Sequence, residues 1–471
     1  MKRGQTSIVH FAGQIILSVS GFAVNLYVAR TLGSEVLGRY ALVVSVIAWL
    51  TISSDLGLHQ SVKKRLSELD SRAGVLNASA IAQFGLIFII GSVVYIFRGQ
   101  VDRYIGAPVG EFVVAMFIVN VLFRFVQSVL VGQHKVHISG LIPAVWWGGR
   151  AIFQIALVIL GYSLLGLLWG YLISGIIAVA VAVYFVSYQP TLPSRADFAA
   201  LTSFAKYSWV GPLKSRSWLS MDTIILGFFI TKGLIGVYEI AWNIASLFAI
   251  FGNSISVTHF PEISSLADEN ETEKVRDAIS NSLAYAGLFL IPGLLGSALV
   301  GEQILSIYGD EFTVGVEILL LLVSARLVYS YEQQLSNALD AMDHPESTFR
   351  INSVFIGLNL LLNIVLVYLY GWYGAAVATA TSATVSLLFA YTEINRYLTI
   401  NIPFREIGKQ VVAATLMGGV VALGKETLGT SLPVVLVLVA VGSGIYFGLL
   451  FGISRQFRKT VRDNLPAFLT S

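Results

Sequence analysis

The chain has 471 residues, of which 56% are hydrophobic and only 12% charged, against about 25% charged residues in a soluble domain. Its net charge is only +3 and its sequence pI is near 8.8, so its surface is not built for nucleic acid and no such partner is expected. The absence of cysteine excludes disulfides, Cys-ligated zinc, iron–sulfur clusters and thiol catalysis together, and no metal or cofactor is expected.

Apolar runs of about 20 residues, the length that crosses roughly 30 Å of hydrocarbon, recur along the whole chain. The first, at 8–29, follows a MetLysArgGly start that resembles a signal-peptide n-region. Gln14, Ser18 and Asn25, and the lack of a small-x-small cleavage site, read instead as a retained helix. Further spans are expected at 40–60, 76–97, 112–132, 141–160, 164–186, 207–229, 235–258, 279–299, 316–337, 353–369, 374–395, 409–424 and 433–452. The expected fold is therefore all-α and integral to the membrane, with about fourteen transmembrane helices. The most hydrophilic connection, Pro261 to Asp277, reads as a solvated loop or a short surface helix. No connection is long enough to house a soluble catalytic domain, so the chain does not read as an enzyme.

An even number of spans places both termini on one side. With the termini inside, the inner loops and tails hold nineteen Lys/Arg and the outer loops six. That asymmetry makes both termini cytoplasmic and the protein a multi-pass component of the cell membrane.

The chain also repeats itself. AsnLeuTyrValAlaArg from Asn25 through GlyArgTyr at 38–40 aligns with Thr223 through GlyValTyr at 236–238, an offset of 198. LeuValGlyGlnHis at 130–134 matches LeuAspAlaMetAsp at 339–343, and SerLeuLeuGly at 163–166 matches GlyTrpTyrGly at 371–374, at offsets of 209 and 208. Six helices separate equivalent points, so the halves share one orientation about an axis along the membrane normal, and a ligand is expected between them. The expected plan is a six-helix lobe at 1–190, a second at 191–397, and at 398–471 two accessory helices with a basic cytoplasmic tail.

Several segments carry a family resemblance: AlaArgThrLeuGlySerGluValLeuGlyArgTyrAla at 29–41, SerAspLeuGlyLeu at 54–58, MetAspThrIleIleLeuGly at 221–227, IleGlyValTyrGluIleAla at 235–241 and IleTyrGlyAspGluPhe at 307–312. With Asn359, Asn363 and GlyTrpTyrGlyAlaAla they span nearly the whole chain. Their order resembles the Wzx-type polysaccharide flippases of the multidrug/oligosaccharidyl-lipid/polysaccharide exporter superfamily. The resemblance implies two pseudo-symmetric lobes around a V-shaped cleft. It also implies movement of a polyprenyl-diphosphate-linked oligosaccharide from the cytoplasmic to the outer leaflet, with glycan-assembly proteins as partners. A drug or metabolite antiporter of the same superfamily is the alternative. A membrane glycan polymerase or ligase is less favoured, since no large extramembrane loop and no Asp-x-Asp pair is present.

Helix 1 aligns His10, Gln14, Ser18, Gly21 and Asn25 on one face, a stripe suited either to close helix packing or to a cleft wall. The 198 offset carries it to Pro212, Arg216, Leu219 and Thr223, with Lys214 on the opposite side near Asp222. Further polar stripes hold Asn120, Arg124, Gln127 and Ser128; Trp146, Arg150 and Gln154; and Arg326, Ser330, Gln333, Asn337 and Asp340. A cation at mid-bilayer costs roughly 2.5–3.5 kcal/mol on insertion scales, so these residues need either buried acids or a ligand. The acids available for pairing are Asp55, Asp222, Glu239, Glu317 and Glu332. The expected ligand site is Arg124, Arg150, Arg216 and Arg326 on the diphosphate, with Lys214 beside them and Gln14 and Asn25 lining the path. Asn359 and Asn363 occupy the repeat positions of Arg150 and Gln154 and suit sugar hydroxyls. Asp55 and Asp222 are the expected ion-coupling acids. A phosphate-loop mimic, Gly419 to Lys425, fails because Glu426 stands where Ser or Thr is required and the segment spans the membrane.

Overall fold

The structure is a computed structural model that describes residues 3–68, 72–205 and 210–464. Side chains are described from residue 21 onward, except at 72, 202–212, 251, 253, 254, 257, 258, 463 and 464. Every regular element among these residues is helical, and the chain divides into two compact units, Met1–Gly236 and Val237–Ser471.

The first unit holds α1 (Arg3–Asp55), α2 (Leu58–Glu68), α3 (Arg72–Ile96), α4 (Arg98–Ile105), α5 (Gly110–Gly132), α6 (Val136–Ile159), α7 (Ser163–Tyr184), α8 (Arg195–Ala205), α9 (Val210–Phe229) and the first turn of α10 (Lys232–Asp268). The two spans expected at 8–29 and 40–60 are the two arms of α1, parted at Gly33. Its φ of 79° and ψ of 174° lie where only glycine sits without strain. Leu56 and Gly57, at φ 42° and 81°, then turn the chain into α2. Short α4 ends on Gly106 in the left-handed region. Asp102 Oδ1 accepts the Val109 and Gly110 N–H groups at 2.7 and 2.6 Å, satisfying donors that the start of α5 would otherwise leave open.

The second unit continues α10 and adds α11 (Thr272–Ala286), α12 (Leu290–Ser306), a 3₁₀ turn (Asp310–Gly315), α13 (Val316–Ala341), α14 (Pro345–Tyr370), α15 (Trp372–Ile394), α16 (Phe404–Leu428), α17 (Leu432–Ile453) and α18 (Arg455–Asn464). The connection expected from Pro261 to Asp277 is mostly helix. Pro261 lies inside α10, and only residues 269–271, turned by Asn270 at φ 58°, separate α10 from α11. The accessory helices α16 and α17 pack on α12 through Ala413, Met417, Val421, Leu438 and Tyr446. Two side chains tie the same helices to the end of α11 and the turn into α12, since Tyr446 donates to the Leu288 carbonyl at 2.8 Å and Gln410 to that of Ala284 at 2.6 Å.

Sequence-matched segments adopt the same local geometry. His134 and Asp343 are both left-handed, at φ 60° and 61°. The N–H groups of Lys135 and His344 reach back to Leu130 and Leu339 at 2.8 and 2.9 Å. At the α6–α7 contact a Cβ on Gly166 would press on Leu157. At the α14–α15 contact a Cβ on Gly374 would press on Leu366, the residue 209 positions after Leu157.

Within the first unit, Gly38 of α1 lies against the Lys232 carbonyl and Gly236 against the Ser34 carbonyl. The two glycines are one repeat offset apart, and each meets the residue four positions before the other. Side-chain-free positions are what let membrane helices approach this closely.

Among the described residues, twelve segments are long and apolar enough to cross a membrane. One of these, Gly21–Asp55, runs across the break in α1. The protein is a multi-pass α-helical membrane protein.

Candidate functional site

Three of the expected arginines gather in the first unit. Arg124 lies on α5, Arg150 on α6 and Arg216 on α9. Tyr171 of α7 lies beside Arg150 and within electrostatic reach of Arg124 and Arg216, and Arg216 in turn feels Arg124. Tyr171 is buried, and its hydroxyl accepts a hydrogen bond from Asn120 Nδ2 at 2.6 Å. The phenol proton therefore remains available for donation.

Arg150 is held by ring faces. Its guanidinium carbon lies 4.9 Å from the Trp147 ring centre, 5.1 Å from that of Tyr171 and 5.4 Å from that of Tyr40, and Nε donates weakly to Gln154 at 3.4 Å. Gln154 is itself fixed by 2.7 Å bonds to the Tyr40 hydroxyl and the Leu167 carbonyl. Trp146, the neighbour expected on this stripe, instead turns inward and meets Phe123 and Tyr171 edge-on.

The Arg216 Nε is buried without a hydrogen-bond partner, whereas Arg124 is exposed. Among the described residues, none of Arg124, Arg150 and Arg216 has a carboxylate within ion-pair distance. The acids named as partners are engaged elsewhere. Asp55 pairs with His59 at 3.1 Å and accepts its backbone N–H at 3.0 Å, with Arg124 contributing only at longer range. Glu239 bonds to Asn243, Glu317 to Tyr373, and Glu332 to Ser336. Arg124, Arg150 and Arg216 therefore stand in one unit with no acid among the described residues at ion-pair distance from any of them.

The other expected residues are placed as follows. Lys214 and Asp222 are both buried on α9 and both engaged in contacts. Asn25 is half-buried on α1, and the side chain of Gln14 lies outside the described residues. In the second unit, Arg326 is buried, stacks 4.1 Å from the Trp242 ring centre and donates to Ser246 at 2.5 Å. Asn359 and Asn363 are buried too, with Asn359 donating to Thr379 at 3.2 Å. Among the described residues no cluster of three His, Asp or Glu could hold a metal ion.

The residues not anticipated are the aromatic ones, Tyr40, Trp147, Tyr171 and Trp242. Trp147 and Trp242 lie on the helix faces of Arg150 and Ser246, a spacing visible in sequence. Tyr40 and Tyr171 come from other helices, and nothing local marks them.

A family model described as polysaccharide biosynthesis protein matches residues 27–317. The chain is 34% identical over 481 residues to "Probable flippase AglR" of Haloferax volcanii, covering 99% of each protein. It is 27% identical to "Probable low-salt glycan biosynthesis flippase Agl15" of the same organism, covering 96% of this chain and 94% of the relative. A solved structure of the lipid II flippase MurJ in an inward closed conformation shares the fold, with a TM-score of 0.80 over 95% of this chain and 99% of that one at 15% identity. The chain belongs to the polysaccharide biosynthesis protein family, within the flippase branch of the multidrug/oligosaccharidyl-lipid/polysaccharide exporter superfamily.

Proposed function

We propose that this protein flips a polyprenyl-diphosphate-linked oligosaccharide from the cytoplasmic to the outer leaflet of the cell membrane, with both termini cytoplasmic, and that it makes and breaks no covalent bond. The observation that carries this reading is the trio Arg124, Arg150 and Arg216 within electrostatic reach of Tyr171, with no acid among the described residues paired to any of them. A planar guanidinium offers parallel N–H donors to phosphate oxygens and stays charged at any cellular pH. Each such charge-assisted bond contributes about 1.5–3 kcal/mol. The flippase names of the two Haloferax relatives support the same cargo class.

In this proposal Arg326 is a phosphate-binding cation of the second unit, Lys214 supports Arg216, Asn25 and Gln14 line the path, and Asn359 and Asn363 meet sugar hydroxyls. The lobes at 1–190 and 191–397 are the working halves, with 398–471 accessory. Asp55 and Asp222 serve ion coupling, and glycan-assembly proteins are the partners. A drug antiporter of the same superfamily is disfavoured because unpaired arginines repel cationic cargo. Removing the protein from its host should accumulate one lipid-linked glycan on the cytoplasmic side. Accumulation of none, with surface glycans intact, would contradict the proposal.

A further inference from the structure

Helix α17 is a membrane span ending at Ile453, and α18 begins at Arg455, so a single residue, Ser454, separates them. The headgroup layer extends about 5–8 Å beyond the hydrocarbon on each side, and one residue of extended chain covers at most about 3.6 Å. Connectivity alone therefore starts α18 at headgroup depth. Phe451 and Ile453, exposed in the last turn of α17, mark the adjoining apolar edge.

The orientation of α18 is fixed by contacts within the second unit. Ser454 caps it, accepting the Phe457 N–H at 3.0 Å while donating to Glu406 at 2.7 Å. Phe457 packs on Phe447, Gln456 donates to Asn281 at 2.7 Å, and Thr460 bonds to Tyr285 at 2.6 Å. Arg458 closes the end of α17, donating to the carbonyls of Phe451 and Gly452 at 2.9 and 2.5 Å. With that face docked, Arg455, Lys459 and Arg462 all point outward and exposed. At about 100° per residue they fall within an arc of roughly 60°, on the side opposite Phe457.

We propose that α18 is a lipid-binding helix whose Arg455, Lys459 and Arg462 hold the headgroups of anionic phospholipids against the end of α17. A solvated basic face would need no fixed orientation. Here the docked side chains aim a single-sign stripe along the plane where phosphate headgroups lie. The same stripe would suit an acidic soluble protein, but the one-residue connection leaves no linker to carry α18 out of the headgroup layer.

The chain has no native cysteine, so an Asp463→Cys variant of the full-length protein takes a single donor fluorophore. It is reconstituted in zwitterionic vesicles carrying a trace of acyl-chain-labelled acceptor lipid, either anionic or zwitterionic. Energy transfer should favour the anionic acceptor by at least about threefold, below the roughly 100-fold ceiling for three fully engaged basic residues. The preference should vanish at 0.5 M salt and in an Arg455→Gln/Lys459→Gln/Arg462→Gln variant, which keeps the docking contacts. Equal transfer to both acceptors in the unmutated stripe at low salt would overturn the proposal. So would a preference that survives the triple change, or one that appears only when soluble protein extract is added.

Discussion

Replacing Arg150 separates its structural role from the ligand role proposed for it. The guanidinium faces three rings at 4.9 to 5.4 Å, each such contact contributing about 0.5–1 kcal/mol near a surface. The bond to Gln154, at 3.4 Å, is too long to add much. Arg150→Ala should therefore lower unfolding free energy by about 1.5–3 kcal/mol through lost ring contacts. Arg150→Lys keeps a charge over the rings and should cost less than about 1 kcal/mol, yet it loses the planar fork that grips phosphate. Its affinity for a soluble alkyl diphosphate should fall about tenfold, the loss of roughly one charge-assisted bond. Thermal unfolding of the detergent-solubilised protein and calorimetric titration with that diphosphate measure the two effects separately. An Ala variant as stable as the parent would refute the ring-face account. A Lys variant that binds diphosphate as tightly as Arg would refute the recognition account.

Gly38→Ala or Gly236→Ala sets a methyl group against the carbonyl of Lys232 or Ser34. Each should cost about 1–3 kcal/mol by overpacking, and the pair should be non-additive in a thermal double-mutant cycle. Asp102→Ala leaves the Val109 and Gly110 N–H groups without their acceptor and should cost about 0.5–2 kcal/mol; hydrogen exchange should rise first at the start of α5. Burial pushes the Tyr104 phenol, outside the spans, well above its ordinary value of 10. Because the folded value exceeds the unfolded one, the stability Tyr104 contributes is full below pH 10 and is lost as pH rises above it. Tyr104→Phe should therefore flatten the alkaline limb of a stability–pH profile while losing the 2.6 Å bond to the Ile224 carbonyl.

The spans were legible because hydropathy reports the solvent of each helix directly. The break at Gly33 was visible as an interval between apolar windows, although the direct run of helix on either side of it, with no loop between the arms, was not. The stretch from Pro261 to Asp277 was legible as a solvated loop or a short surface helix, but not as the continuation of α10. In α10 the helix carries through Pro261, since only one ladder bond is lost. The arginines were legible too, because a charge in an apolar run is costly wherever it points. What periodicity cannot report is which other helix supplies the groups around a charge. Tyr40 reaches Arg150 from α1 and Tyr171 from α7, more than a hundred and about twenty positions away respectively, and only the packing of α1, α6 and α7 brings them together. The same limit hid the pairing of His59 with Asp55, where the i,i+4 spacing was visible but straddles the left-handed turn at Leu56 and Gly57.

The most direct test of the account is flipping by the purified protein in vesicles. A short-chain polyprenyl-diphosphate oligosaccharide, placed in one leaflet, is followed by the access of a membrane-impermeant lectin. The intact protein should equilibrate it between leaflets. Arg124→Ala, Arg150→Ala and Arg216→Ala should each slow equilibration by about 10- to 100-fold, the loss of one charge-assisted bond, while the proteins remain folded and monodisperse. Equilibration at the parental rate in all three variants would contradict the assignment of these arginines to the diphosphate, and no equilibration by the intact protein would contradict the flippase itself.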